Sequence, residues 1–316
     1  MYNEALKEKY ISSVAGTDST AAGLTALFDS VSHFEEAWDA DLCTRTAEEL
    51  IPLAESIVGL RAYTKWARFN QLKSYVKWCI NMGVEGACDG MLHVEVTGFE
   101  KIRKYMFKNP DHVKRNLDAV FPPENEVTID DVYRAFIWLI YLGGEEEDVL
   151  KIKTSDVNFK KRTVKCGDSA IKLGNYEYAW DCVEKVAEND MLLYRKDHYN
   201  KLVSRAPGDN LLRGFRSSEW QPIGMRGAIS KPIRAAVKNG LIDVNPSVQR
   251  IALSGEWYRM WLIEQDGRDP QFMNYAIKKT KNFNFDPKRG SVESQQRIYA
   301  AEARSDYNKW KAAFNL

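Results

Sequence analysis

No apolar run in the chain comes near the roughly 18–20 residues that a bilayer-spanning helix requires. Its first ten residues carry Glu4, Lys7, Glu8 and Lys9 where a secretory leader would hold an apolar centre. A cytoplasmic location is therefore expected, with no membrane partner. Cysteine is scarce: Cys43, Cys79, Cys88, Cys166 and Cys182 are odd in number, form no Cys-x-x-Cys pair and have no histidine at ligand spacing. Neither a disulfide framework nor a metal site is expected, and the thiols read as reduced and buried. Histidine is scarcer still. His33, His93, His112 and His198 all precede residue 199, so chemistry that depends on an imidazole has no donor in the remainder of the chain. Internal repeats and low-complexity tracts are absent, and nothing in the sequence asks for a cofactor.

A length of 316 residues suits about two domains and a well-buried core. The net charge of +1 conceals a strong asymmetry along the chain. Residues 1–56 carry 3 basic against 11 acidic side chains, whereas residues 57–84 carry Arg61, Lys65, Arg68, Lys73 and Lys77 with no acid. Residues 195–250 carry eleven Lys or Arg against four acids, interleaved with Tyr199, Phe215 and Trp220 and preceded by Tyr194. Nucleic-acid affinity follows local fields rather than the total. A solvated face explains any one of these runs taken alone.

The periodicity predicts a mainly helical chain with a small antiparallel sheet. Helices are expected at Ala21–Asp29, Thr46–Val58 and Leu60–Met82, the last with Phe69, Leu72, Val76, Cys79 and Ile80 on its core face. Arg61, Lys65 and Arg68 continue that stripe backwards as positive charge. The turn-bearing stretch Gly83–Gly98 suggests a division into domains 1–98 and 99–316. Thr128–Asp131 has the form of a helix start before Val132–Leu142. Val157–Phe159, Arg162–Lys165 and Ala170–Leu173 alternate as a short hairpin and its continuation. Further helices are expected at Tyr176–Glu188, Ile229–Asn239, Val248–Gln265, Asp269–Thr280 and Ser291–Phe314, with an exposed basic loop at Asn282–Gly290.

Four segments in order resemble the tyrosine recombinase, or phage integrase, family. Tyr75–Val76–Lys77–Trp78 followed by Gly83 resembles the end of a helical core-binding domain. The stretch from Tyr141 through Gly143, Gly144 and Glu145 to Ser155–Asp156–Val157–Asn158–Phe159 resembles the segment that carries the family's first catalytic arginine and opens its hairpin. Ser254–Gly255–Glu256–Trp257–Tyr258–Arg259 resembles a late helix of the catalytic domain, and Tyr307–Phe314 its closing helix. The resemblance implies a two-domain recombinase architecture. It also puts Glu145 where the family has an arginine. Phosphoryl transfer depends on charge placed where the transition state gathers it, and loss of one such donor costs roughly a hundred- to a thousand-fold in rate. A carboxylate adds repulsion to that loss and cannot reproduce the arginine fork.

No His-x-x-Arg follows, and Tyr299 and Tyr307, the positions available for a nucleophile, read as packing residues. The expected protein is thus not an enzyme. Among family members that have lost catalysis, it resembles the integrase-like repressors of SPβ-type prophages. That resemblance implies sequence-specific binding of double-stranded operator DNA, repression of lytic promoters and, through the DNA, a nucleoid location. A small antirepressor protein or a second copy of the chain is the further partner it suggests, and an active but atypical integrase is the alternative. The DNA-binding residues expected are Arg61, Lys65, Arg68 and Lys73 in the first domain, Lys165 and Lys172 on the hairpin, and Arg195, Arg213, Arg216, Arg226, Lys231, Arg234, Arg250 and Arg259 in the second. The two domains would hold opposite sides of a DNA segment as a clamp.

Overall fold

The computed structural model describes residues 1–57, 62–95, 98–196, 199–281, 283 and 290–316, with backbone alone at 62–66, 196 and 199. Arg61 and the side chain of Lys65 lie outside the described residues, as does most of the loop expected at Asn282–Gly290. The chain is mainly helical with small antiparallel sheets, as the periodicity implied. It divides into two compact units, Met1–Ile102 with Phe272–Leu316, and Arg103–Gln271. Where the sequence reading cut the chain once, near residue 98, the structure gathers the carboxy-terminal segment into the first unit.

In the first unit, α1 (Glu4–Val14), α2 (Asp18–Trp38), α3 (Ala47–Ile57), α4 (Ala62–Asn81) and α5 (Gly90–His93) enclose a core built on Phe28, Val31, Leu53, Leu72, Tyr75 and Val76. The face of α4 is the expected one, except that Tyr75 is buried and Ile80 is 39% exposed. A charged cluster sits inside this apolar unit. Lys7, fully buried on α1, donates to both oxygens of fully buried Glu35 on α2 at 2.7 and 2.6 Å and to the Tyr2 carbonyl at 2.7 Å. Leu42 N–H donates to the same carboxylate at 3.0 Å. Fork geometry and a backbone donor are what such a pair needs to offset its desolvation. Helix α6 (Phe99–Tyr105) crosses the division between the units, while α13 (Phe272–Lys279) and α14 (Val292–Phe314) return to the first. Helix α14 packs along α13 through Tyr307 and Phe272 and also touches α4.

The second unit is organised around α8 (Ile129–Tyr141), every residue of which from Ala135 to Tyr141 is buried. It starts at the expected capping box, with Thr128 N–H donating to the Asp131 carboxylate at 2.8 Å. Helices α7 (Pro110–Val120), α10 (Glu177–Ala187), α11 (Pro222–Lys238) and α12 (Val248–Gln265) surround the core that contains it. The short α9 (Glu146–Val149) follows α8 directly. The expected hairpin is a three-stranded sheet of β1 (Val157–Asn158), β2 (Thr163–Cys166) and β3 (Ser169–Lys172), with Val164 opposite Ile171 on the buried face. A second sheet was not anticipated. Strands β4 (Met191–Lys196) and β5 (Tyr199–Ser204) pair antiparallel over six positions, from Met191↔Ser204 to Lys196↔Tyr199.

Candidate nucleic-acid interface

The segment that sequence comparison singles out lies in the second unit, at the carboxy-terminal end of α8. Gly143, at φ +110°, turns the chain, and Gly144 N–H donates back to Leu139 O at 2.9 Å. A Cβ on Gly144 would stand 2.3 Å from a Val149 methyl, so glycine is what lets α9 fold tightly onto the end of α8. Three elements meet this turn. From α12, Arg259 donates to the Tyr141 carbonyl at 2.6 Å and pairs with Glu256 at 2.8 Å, which caps the last turn of α8. From the sheet, the turn between β2 and β3 brings Gly167 against the Asp148 carboxylate.

The third element is α11, whose Arg226 grips Glu146. Its Nε lies 2.9 Å from both carboxylate oxygens, and Nη2 reaches one of them at 2.5 Å. Arg226 is half-exposed, whereas the Glu146 side chain is only 13% exposed. The hydrogen bonds to Glu146, followed by its charge, raise the guanidinium pKa further. Glu145 is exposed at the start of α9. The place where the resemblance calls for an arginine thus carries consecutive carboxylates, and one of them already occupies the arginine that reaches it.

The other expected site residues separate by what they touch. In the first unit Arg68 is exposed, whereas Lys73 donates to the Leu92 carbonyl at 2.9 Å and lies over the Phe69 ring. Lys165 and Lys172 are exposed on the outer face of β2 and β3, opposite Ala170 and Thr163. Arg195 forms a two-pronged pair with Glu124. Arg213 is held by Asp190 at 2.7 Å and by the Gly208 carbonyl, and its side chain is only 12% exposed. Arg216, Lys231 and Arg234 are exposed, and Arg234 donates to the Ser230 carbonyl of its own helix at 3.3 Å. Arg250 is half-buried in the first turn of α12.

Tyr299 and Tyr307 lie in the first unit, where Tyr299 stacks on Tyr275 and buried Tyr307 packs on Phe272 and Trp310. Two features had no local signal in the sequence. The Arg226–Glu146 contact joins residues 80 apart. Arg205, counted among the basic stretch, is buried and donates to the carbonyls of Val186, Asn189, Leu211 and Arg213. Among the described residues no cluster has the composition of a metal site, and no helix is long and apolar enough to cross a membrane.

Residues 1–81 match the family model described as MrpR, N-terminal core-binding domain. No curated protein matches the chain. Among solved structures, the chain is similar to the XerA recombinase, at 11% identity and a TM-score of 0.40, with 97% of this chain and 98% of that chain covered. It is similar to the integrase from mycobacterium phage Brujita at 11% identity and 0.35, covering 95% and 91%. A lambda integrase fragment, residues 75–356, in a dimer bound to a COC′ core site, is similar at 14% identity and 0.32, covering 93% and 94%.

Proposed function

We propose that this chain is a sequence-specific double-stranded DNA-binding repressor that keeps a prophage lysogenic, built on a recombinase-like frame and without strand-cutting activity. The observation that carries the second half of that reading is the fork between Arg226 and Glu146. A guanidinium closed on a carboxylate is not free to hold the phosphate of a strand undergoing cleavage, and Glu145 beside it repels one. Burial of Tyr307 and the lack of histidine beyond residue 198 support the same conclusion. DNA binding is supported by the core-binding match over residues 1–81 and by the exposed Arg216, Lys231, Arg234, Lys165 and Lys172. Exposed cations of this kind provide affinity through phosphate contacts and counterion release. The operator, and with it a small antirepressor protein or a second copy of the chain, are the partners this role implies.

The test is to incubate the protein with fragmented DNA of its source genome at about 150 mM salt, near physiological ionic strength, and to sequence the retained fragments and map their ends. Selective retention of intact fragments is expected. Strand breaks or protein-linked ends would restore the reading as an atypical integrase, and no retention would remove DNA as the partner.

A further inference from the structure

The ribbon formed by β4 and β5 is fastened along β4 and largely exposed along the described side chains of β5. Two-stranded ribbons are marginal on their own in water, and this one is anchored at four points. Leu192 is fully buried in the core, Leu193 N–H donates to Val127 O at 2.6 Å, the Tyr194 ring sits edge-on to Phe215 at 5.3 Å, and Arg195 grips Glu124. The paired strand contributes little to the core: Asn200 and Lys201 are exposed, Leu202 is 49% exposed, and on β4 even Tyr194 is 37% exposed despite its contact with Phe215. Pairing nevertheless continues in register through Tyr194↔Lys201 and Arg195↔Asn200. A ribbon anchored through β4 leaves the exposed side chains of β5, Asn200, Lys201 and Leu202, open to a partner.

We propose that the β5 side of this ribbon lies in a groove of duplex DNA, an inference that rests on the DNA-binding reading above. A two-stranded ribbon has the width that the major groove admits, about 12 Å. The side chains it presents are suited to that place: Lys201 to a phosphate, Asn200 to a base edge, where asparagine pairs in two-pronged fashion with adenine. Neighbouring charge has the matching sign, because Tyr194 packs on Phe215 and the next residue, Arg216, is exposed. Glu124 neutralises Arg195, so the proposal does not use it as a contact.

The test titrates the full chain and its Lys201→Ala and Asn200→Ala variants against two short duplexes, one cut from the most strongly retained genomic fragment and one of scrambled sequence, over a range of salt. Both substitutions are at exposed positions, and a thermal melt checks that each variant stays folded. Lys201→Ala is expected to weaken both duplexes and to reduce the salt slope by about 1. Asn200→Ala is expected to lower the preference for the selected duplex by roughly 5- to 150-fold. If the parent binds and both variants keep its affinity, slope and preference, the ribbon is not on the DNA and the repressor reading survives without it. If the parent retains neither duplex, the repressor reading fails and the ribbon proposal falls with it.

Discussion

Arg213 and Arg216 share one loop and one charge, yet the fold uses them differently. Arg213 is tied to Asp190 and the Gly208 carbonyl, beside the buried Arg205, whose guanidinium pKa is lowered to about 10 by burial and then by the charge of Arg213. Arg216 is exposed. Replacing Arg213 by alanine should cost about 1–3 kcal/mol in urea unfolding, because its carbonyl and carboxylate partners lose a charged donor. Arg216→Ala should leave stability unchanged while weakening DNA binding and lowering the salt slope by about 1. Parental stability with weakened DNA binding in Arg213→Ala would move Arg213 to the interface instead. The buried pair of Lys7 and Glu35 gives a second test. Lys7→Met should destabilise by about 3–5 kcal/mol, because it leaves a buried carboxylate alone, and Lys7→Met with Glu35→Leu should recover most of that loss. Burial raises the Glu35 carboxyl to about 7 from 4.5, with Lys7 offsetting part of the rise. The folded chain therefore holds a proton that the unfolded chain releases, so this group's contribution to stability is full below about pH 4.5 and is lost as pH rises through about 7. Unfolding midpoints measured across that range would rise with pH if the assignment were wrong.

Helices α8 and α12 cross with almost no space between their backbones. A Cβ on Gly255 would stand 1.7 Å from the Tyr141 carbonyl oxygen. Alanine gains about 1 kcal/mol of intrinsic helix preference over glycine, but an overlap that large cannot be relieved by a rotamer change, so the helices must separate. Gly255→Ala is expected to be destabilising by about 3 kcal/mol, at the upper end of ordinary overpacking, and denaturant titration would show it. A neutral result would mean the helices cross farther apart. Both of these elements were legible in the sequence: α12 runs over the expected Val248–Gln265, and α8, with its strong apolar stripe, begins at its capping box. Helix α11 begins at Pro222, seven residues ahead of the expected Ile229, because Pro222 suits a first helical turn while Gly224 and Gly227 carry no apolar side chain to extend the periodicity. The ribbon of β4 and β5 carries no such signal, for another reason. Only Leu192 among its described residues is fully buried, so the alternation that marks a half-buried strand is missing. The site was legible as a segment, Tyr141–Phe159, but its closure by Arg226 was not, since that contact comes from another helix and has no local pattern.

For the molecule as a whole, a net charge of +1 leaves DNA affinity to be decided by which cations its own carboxylates neutralise. In the second unit Arg195, Arg213 and Arg226 are paired with Glu124, Asp190 and Glu146. Lys165, Lys172, Lys201, Arg216, Lys231 and Arg234 remain exposed. If those six side chains each meet a phosphate, the logarithm of affinity should fall with the logarithm of salt at a slope of about −5. Glu146→Gln then separates an occupied arginine from a purely structural one. Loss of the carboxylate charge weakens the grip on Arg226, which is already half-exposed, and makes its guanidinium available to a phosphate. DNA binding should tighten, and the slope should steepen by about 1. On the proposed reading, supercoiled plasmid incubated with the same variant should stay uncut, because Glu145 stands where the resemblance calls for an arginine and Tyr307 is buried. An unchanged slope would show that Glu146 merely positions α11, whereas nicking by the variant would mean that a single carboxylate had been suppressing an intact catalytic site.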